Sequence, residues 1–352
     1  MNIKIKRLFL LSILFPLILI LTACNSGGGT DNITQPTLYV SIDSEISDPL
    51  VEVYDDQKLI SQKSGNKTEF KLNNGNYTVK VKTDGSLIET RTAVINGADE
   101  FIDIMIWTLD WSDEFDEGTI NSANWTRQEL AAGTFNSEWQ RYTDSSENSY
   151  VEMKSDRSDG ALVIEAKYNG QGLEMGNFTS ARMITNEKVE YQYGKIAARI
   201  KVPEGQGIWP AFWMLGTNIS ETGGDTNWPW SGEIDIMEKI GGSDYNERTV
   251  HGTIHYAKIE DAKWPECYDH IGGSETISEY LSADYRVYEV EWNADRIIWR
   301  LDGEEYHRQD IRASEFDEFR KPFYLLLNVA VGGNWPGYPD ATTEFPQKMY
   351  VD

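Results

Sequence analysis

Apolar and polar positions alternate with a period of two along most of this chain, and nowhere do they settle into a long helical period. The first such stretch holds Thr37–Ile42, Val51–Tyr54, Thr68–Leu72, Tyr77–Val81 and Phe101–Ile106, separated by the turn sequences Asn73-Asn74-Gly75 and Asp84-Gly85. Side chains alternate faces on a strand, so this pattern predicts half-buried strands. Their number and spacing predict a small β-sandwich, immunoglobulin-like in length, over residues 37–106. From Trp107 to Asp352 the same period continues through Gly160–Lys167, Gly194–Val202, Tyr288–Trp292 and Arg296–Leu301, the last two joined around Asn293-Ala294-Asp295. The expectation is an all-β chain whose larger domain, residues 107–352, is a two-sheet sandwich.

One strand breaks the alternation in an informative way. In Gly232-Glu233-Ile234-Asp235-Ile236-Met237-Glu238 three carboxylates interrupt an apolar, β-branched run. Glu233 and Asp235 share a face, but Glu238 has the wrong parity, so a β-bulge is expected near Ile236 and Met237 to bring it round. Four strand steps then separate the two Glu Cα atoms by about 13 Å, and side chains leaning inward leave roughly 5 Å between carboxyls, the spacing of a retaining glycosidase. In that chemistry one carboxylate attacks the anomeric carbon while the other group protonates the leaving oxygen and then activates water. The strand alone leaves open which Glu does which. Asp235, being short, is expected to hydrogen-bond a neighbouring Glu and to raise the proton affinity of the cluster.

Residues 1–24 belong to neither domain. Lys4, Lys6 and Arg7 precede an apolar run, Leu8–Leu21, and Leu21-Thr22-Ala23-Cys24 resembles the lipobox of a bacterial lipoprotein, with Cys24 as the lipidated residue. Residues 25–36 read as a flexible linker. The implied location is exported and lipid-anchored at the bacterial cell envelope, at the outer membrane or cell surface. Loss of the three cations takes the formal charge from −25 to −28. Such a chain repels polyanions, which argues against nucleic acid and sulfated polysaccharides as partners. With Cys24 lipidated, Cys267 is the one remaining thiol, which excludes an intrachain disulfide. All 12 tryptophans lie between Trp107 and Trp335, so the 37–106 module reads as a spacer rather than a glycan binder. Trp209, Trp213, Trp228 and Trp230 bracket the acidic strand, as sugar platforms or as core.

The acidic strand, WSDEFD (Trp111–Asp116), TSARMIT (Thr179–Thr185), YGKIAARIKVPEGQGIWPAFWML (Tyr193–Leu215), HGTIHY (His251–Tyr256) and PFYLLLNVAVGGNWPG (Pro322–Gly337) together resemble glycoside hydrolase family 16, and its laminarinase branch most. The resemblance implies a concanavalin A-like β-jelly roll with an open groove. It also implies endo-hydrolysis of β-1,3-glucosidic bonds in laminarin-type or mixed-linkage β-glucan; the chain is expected to be a monomer. The alternatives are a hydrolase of a neutral galactan such as agarose, and a non-catalytic β-glucan-binding protein. By the same likeness Glu233 is the nucleophile, Glu238 the acid/base and Asp235 the helper. Met237, the extra residue of the bulge, marks the laminarinase-like rather than lichenase-like branch. Substrate contacts are implied for Asn136, Glu138, Arg182, Trp209, Trp213, Trp228, His255 and Trp335. Phe135 stands where the family commonly has glycine. His251 and His255 are not read as a zinc pair, for want of a third ligand and a helix. No cofactor is implied for catalysis. A structural Ca2+ is implied at Glu114, Gly160 and Asp352, whose oxygens suit that ion. The family pattern also runs on past Asp352 for one more strand, so the chain reads as lacking its last strand.

Overall fold

The computed structural model describes residues 3–7, 35–43, 48–153, 159–258, 263 and 265–352. Cys24 and most of the expected leader and linker therefore lie outside the described residues. The chain divides into two compact units, Leu8–Thr108 and Met1–Arg7 with Leu109–Asp352. In the smaller unit a three-stranded sheet (Lys67–Lys71, Thr37–Asp43, Glu100–Met105) and a four-stranded sheet (Lys58–Ser64, Leu50–Asp55, Gly75–Thr83, Ser86–Ile95) enclose one core that includes Leu38, Val40, Val51, Val53, Val79 and Val81. Alternate residues supply that core, as a strand with one buried face requires.

The larger unit is built from two sheets. We number the strands of the sheet that carries the acids β1 (Thr126–Arg127), β2 (Arg182–Ile184), β3 (Ile208–Gly216), β4 (Glu233–Glu238), β5 (Thr249–Ala257), β6 (Tyr268–Thr276) and β7 (Phe323–Val331). Their spatial order is β1-β2-β7-β3-β4-β5-β6, with Glu190–Tyr191 also paired to β7. The opposite sheet runs through Gln140–Tyr142, Phe178–Ser180, Gly160–Tyr168, Gln347–Val351, Gly194–Lys201, Arg286–Trp292, Arg296–Leu301 and Glu304–Asp310. Ile3–Arg7 pairs antiparallel with Gly194–Lys201, Lys4 opposite Ala197, alongside the stretch where Gln347–Val351 pairs only with Ile200 and Lys201. The central strand β7 shows how the layers form. Phe323, Leu325, Leu327, Val329 and Val331 face the core between the sheets, while Tyr324, Leu326, Asn328 and Ala330 face the other way, so the whole strand is buried and reads as one apolar run.

The bulge expected in β4 is present. Asp235 pairs with Thr253 and Glu238 with His251, so Ile236 and Met237 together oppose Gly252 alone; the same shift appears against β3, between Phe212 and Trp213. Ile234, Ile236 and Met237 all point into the inter-sheet core. A bulge leaves backbone groups without ladder partners. Here the Asp235 carbonyl accepts a hydrogen bond of 2.7 Å from the Trp299 indole N–H, which reaches across the core from the opposite sheet. That reach depends on Gly252, because a Cβ there would sit 2.3 Å from Trp299 Cδ1 and 2.6 Å from the Tyr306 hydroxyl. Gly252→Ala should therefore cost about 1–3 kcal/mol of unfolding free energy through overpacking, read by urea denaturation. Unchanged stability would remove the role given to Trp299.

Candidate active site

The face of the β1–β7 sheet turned away from the core carries a groove of about 1240 Å³. Its floor follows from strand parity: Trp209, Ala211, Trp213 and Leu215 from β3, Glu233, Asp235 and Glu238 from β4, and His251, Thr253 and His255 from β5. The bulge is what adds Glu238 to this set. The three acids converge as expected, but the partner of Asp235 differs. A neighbouring Glu was expected; instead Asp235 Oδ2 lies 2.9 Å from His255 Nε2, a contact that needs a proton on one of the two atoms. The reason is strand pairing: Glu233 stands opposite His255, and Asp235 one pleat further along reaches the same imidazole. Glu233 Oε1 is 3.6 Å from that nitrogen, and its Oε2 accepts a hydrogen bond of 3.2 Å from Trp228 Nε1. The far ring nitrogen, Nδ1, is 2.8 Å from the Tyr268 hydroxyl, which orients the imidazole. Glu238 Oε1 accepts from Trp209 Nε1 at 3.0 Å.

Burial sets the electrostatics. It pushes the carboxyls of Glu233 and Glu238 each up to about 8, with Asp235's charge adding to the effect and His255 opposing it. Burial also holds Asp235 well above the usual carboxylate range. Three acids so close cannot all ionise near neutrality, so the cluster keeps protons that it titrates as a unit. One ionised and one protonated carboxyl on the same face is the state that a double displacement needs.

Across β3 and β7 the groove wall is a connected polar network. Glu138, 8% exposed, accepts from Gln140 Nε2 at 2.6 Å, from the Tyr142 hydroxyl at 3.2 Å and from Asn136 Nδ2 at 3.3 Å. Asn328 Nδ2 donates to the Tyr142 hydroxyl at 3.1 Å, and Asn328 Oδ1 accepts from Trp213 Nε1 at 2.7 Å. Arg182, 2% exposed, pairs with Glu221 at 2.9 Å and lies between the rings of Phe135 and Trp213, 5.1 Å from each centroid. Phe135 thus serves as one face of an arginine sandwich. At the Glu238 end, Trp335, 42% exposed, meets Trp209 and His251 edge-on, at 5.5 and 5.0 Å.

Asn136, Glu138, Arg182, Trp209, Trp213, Trp228, His255 and Trp335 all line the groove; Trp230 does not. Sequence reasoning missed Gln140, Tyr142, Glu221, Tyr268, His270 and Asn328. Two signals existed: Asn328 is the polar residue inside the apolar run of β7, and Gln140 and Tyr142 follow Glu138 at the two-residue period of one strand face. Nothing local pointed to Tyr268 or His270 on the edge strand. Among the described residues, Glu233, Asp235 and His255 form the one cluster with metal-ligand spacing, and His251 is outside it. The segments expected to hold calcium do meet. A Cβ on Gly160 would lie 2.2 Å from the Phe115 carbonyl oxygen, beside Glu114, and the Gly160–Tyr168 strand pairs with Gln347–Val351, Leu162 opposite Val351, with Asp352 the next residue. The Asp352 carboxylate is bound by the Arg199 guanidinium.

The profile of glycosyl hydrolases family 16 matches residues 132–352. A beta-glucanase of Rhodothermus marinus is 36% identical over 261 residues, 70% of this chain and 83% of that protein. A glucan endo-1,3-beta-glucosidase of Cryptopygus antarcticus is 36% identical over 242 residues, 66% of this chain and 83% of that protein. Among solved structures, the catalytic domain of an endo-1,3-beta-glucanase (laminarinase) from Thermotoga petrophila superposes with a TM-score of 0.57 at 42% identity, covering 70% of this chain and 95% of its own. On the family match and the shared identity with these relatives, the chain belongs to glycosyl hydrolases family 16.

Proposed function

We infer that this protein is an endo-acting glycoside hydrolase that cleaves β-1,3-glucosidic bonds of laminarin-type or mixed-linkage β-glucans with retention of configuration. One observation carries the reading: a bulge puts two glutamates of a single strand on one face of an open groove, with a buried aspartate between them. In the proposed first step Glu233 attacks the anomeric carbon while Glu238 gives its proton to the departing glycosidic oxygen. In the second, Glu238 takes a proton from water, which displaces Glu233 from the sugar. A protonated Asp235 leaves Glu233 free to ionise without a second charge beside it, and the Trp228 N–H steadies the carboxylate that forms. The indole and imidazole faces suit the C–H faces of β-linked glucose, and the Glu138–Tyr142–Asn328 network suits its hydroxyls. A groove that runs past the acids on both sides admits a chain at any internal bond. The full set of acids argues against a role in binding alone, and the net charge of −25 argues against sulfated galactans.

Glu233→Gln tests this with two readouts. Reducing ends released from laminarin should fall by at least about 10³-fold; a panel of laminarin, lichenan and agarose with the wild type assigns the linkage, and preference for agarose would overturn the glucanase reading. The same variant should gain stability at alkaline pH. A carboxyl raised from 4.5 to about 8 keeps in the folded state a proton that the unfolded chain releases, so the wild type loses stability as pH rises through that window. The variant should be more stable by about 1–3 kcal/mol at pH 8.5 and indistinguishable near pH 4.5.

We also propose that Glu114, the Gly160 carbonyl and Asp352 hold a structural Ca2+, supported by the convergence of these segments and by their all-oxygen donors. The ion would share or replace Arg199 as the partner of Asp352. Calcium should then raise the melting temperature by a few degrees over EGTA, and Asp352→Asn should abolish that difference; a wild type indifferent to both ends the proposal. For residues 37–106 we propose an immunoglobulin-like spacer, and for Cys24 a lipid anchor at the cell envelope. Cys24→Ser should move the protein from the membrane to the soluble fraction, and persistence at the membrane would contradict the anchor.

A further inference from the structure

Lys239 follows Glu238 directly and has no exposed surface. Its ammonium donates to the Pro203 carbonyl at 2.9 Å and pairs with the carboxylate of Glu247, itself 6% exposed. The other Glu247 oxygen accepts from the backbone N–H of Gly205 at 2.9 Å and of Gly242 at 3.0 Å. Burial draws the lysine below its ordinary range, and Glu247 partly restores it. Taking such a pair out of water costs several kcal/mol per ion, and apolar residues of similar size often serve stability equally well. The pair therefore calls for a reason other than stability.

That reason is visible in what it joins. Three segments meet at the pair: the end of β4, the 203–207 loop that enters β3 just ahead of Trp209, and the Asn246–Arg248 turn that enters β5 just ahead of His251. The backbone closes the same seam, with Lys239 N–H on the Pro210 carbonyl at 3.3 Å and Gly241 N–H on Ile208 at 3.0 Å. These segments carry the surroundings of Glu238. Trp209 donates to its carboxyl, Trp335 rests on Trp209 and His251, and Gln206 of the same loop holds the Trp335 segment through the Pro336 and Tyr338 carbonyls at 3.0 and 3.2 Å. Glu233, by contrast, leans on Trp228 and His255.

We propose that the buried Lys239–Glu247 pair is a positioning device for the acid/base: it fixes Glu238 and the Trp209 N–H relative to each other and so governs proton delivery to the leaving group without touching substrate. The proposal rests on the reading of Glu238 as acid/base. Loosening the pair should harm proton transfer and spare nucleophilic attack. The experiment compares wild type, Lys239→Met, Glu247→Gln and the double variant Lys239→Met/Glu247→Leu on laminarin and on aryl β-laminaribiosides of rising leaving-group pKa. Laminarin kcat should fall about 10–100-fold with KM little changed. The first-turnover burst on a dinitrophenyl glycoside should keep its rate within about twofold, because that leaving group needs no proton. The dependence of rate on leaving-group pKa should steepen, and the alkaline limb of the laminarin pH profile should move. The double variant, its charges removed together, should regain melting temperature without regaining laminarin kcat.

Equal losses on all substrates with an unchanged pH profile would reduce the pair to a structural role, and so would full laminarin activity in the double variant. Inactivity of the wild type on laminarin is a separate failure, that of the glucanase reading. The pair is judged only on the difference between variants and wild type.

Discussion

Ile236 and Met237 stand opposite Gly252 alone, and the extra residue turns the carboxyl of Glu238 from the core to the groove. A strand of strict alternation would bury that acid among the apolar residues between the sheets, at a high desolvation cost. The bulge is held from behind. Trp299, fully buried in the opposite sheet, donates to the Asp235 carbonyl through the gap that Gly252 leaves. The groove face of one sheet is thus fixed by a side chain of the other, and the sandwich core is part of the groove's construction.

Around that strand the groove is organised as two differently built ends. At the Glu233 end one indole N–H meets the carboxyl, and an imidazole set by Tyr268 from the edge strand lies 3.6 Å from it. At the Glu238 end one indole N–H meets the carboxyl, and the indole is held by Trp335 and by the loop that the Lys239–Glu247 pair ties down. Burial raises the proton affinity of both glutamates, so what distinguishes them is their different neighbours. The Arg182–Glu221 pair and the Glu138 network extend the polar wall away from the acids, with their donors and acceptors largely satisfied by one another.

Much of this was legible along the chain because the governing signal is local. A period of two gives strands, and a single acid out of phase gives a bulge. Asn328, polar inside the apolar run of β7, carried a like signal that the sequence reading passed over. The partner of Asp235 was not legible, since it depends on β5 lying beside β4 with Glu233 opposite His255. Tyr268 and His270 escaped for the same reason: they come from an edge strand whose polar sequence carries no core pattern. Phe135 looked like a departure from a glycine position, and only the nearness of Arg182 gives it a purpose.

The amino-acid sequence by itself determined the all-β architecture, the run of acids and the need for an extra residue between them, because alternation and covalent spacing act within a few residues. Tertiary structure alone decided which groups face those acids, which proton-bearing contacts they make and how a buried lysine is neutralised. Those outcomes depend on strands brought together from distant parts of the chain, and on the exclusion of water that only the assembled sandwich achieves.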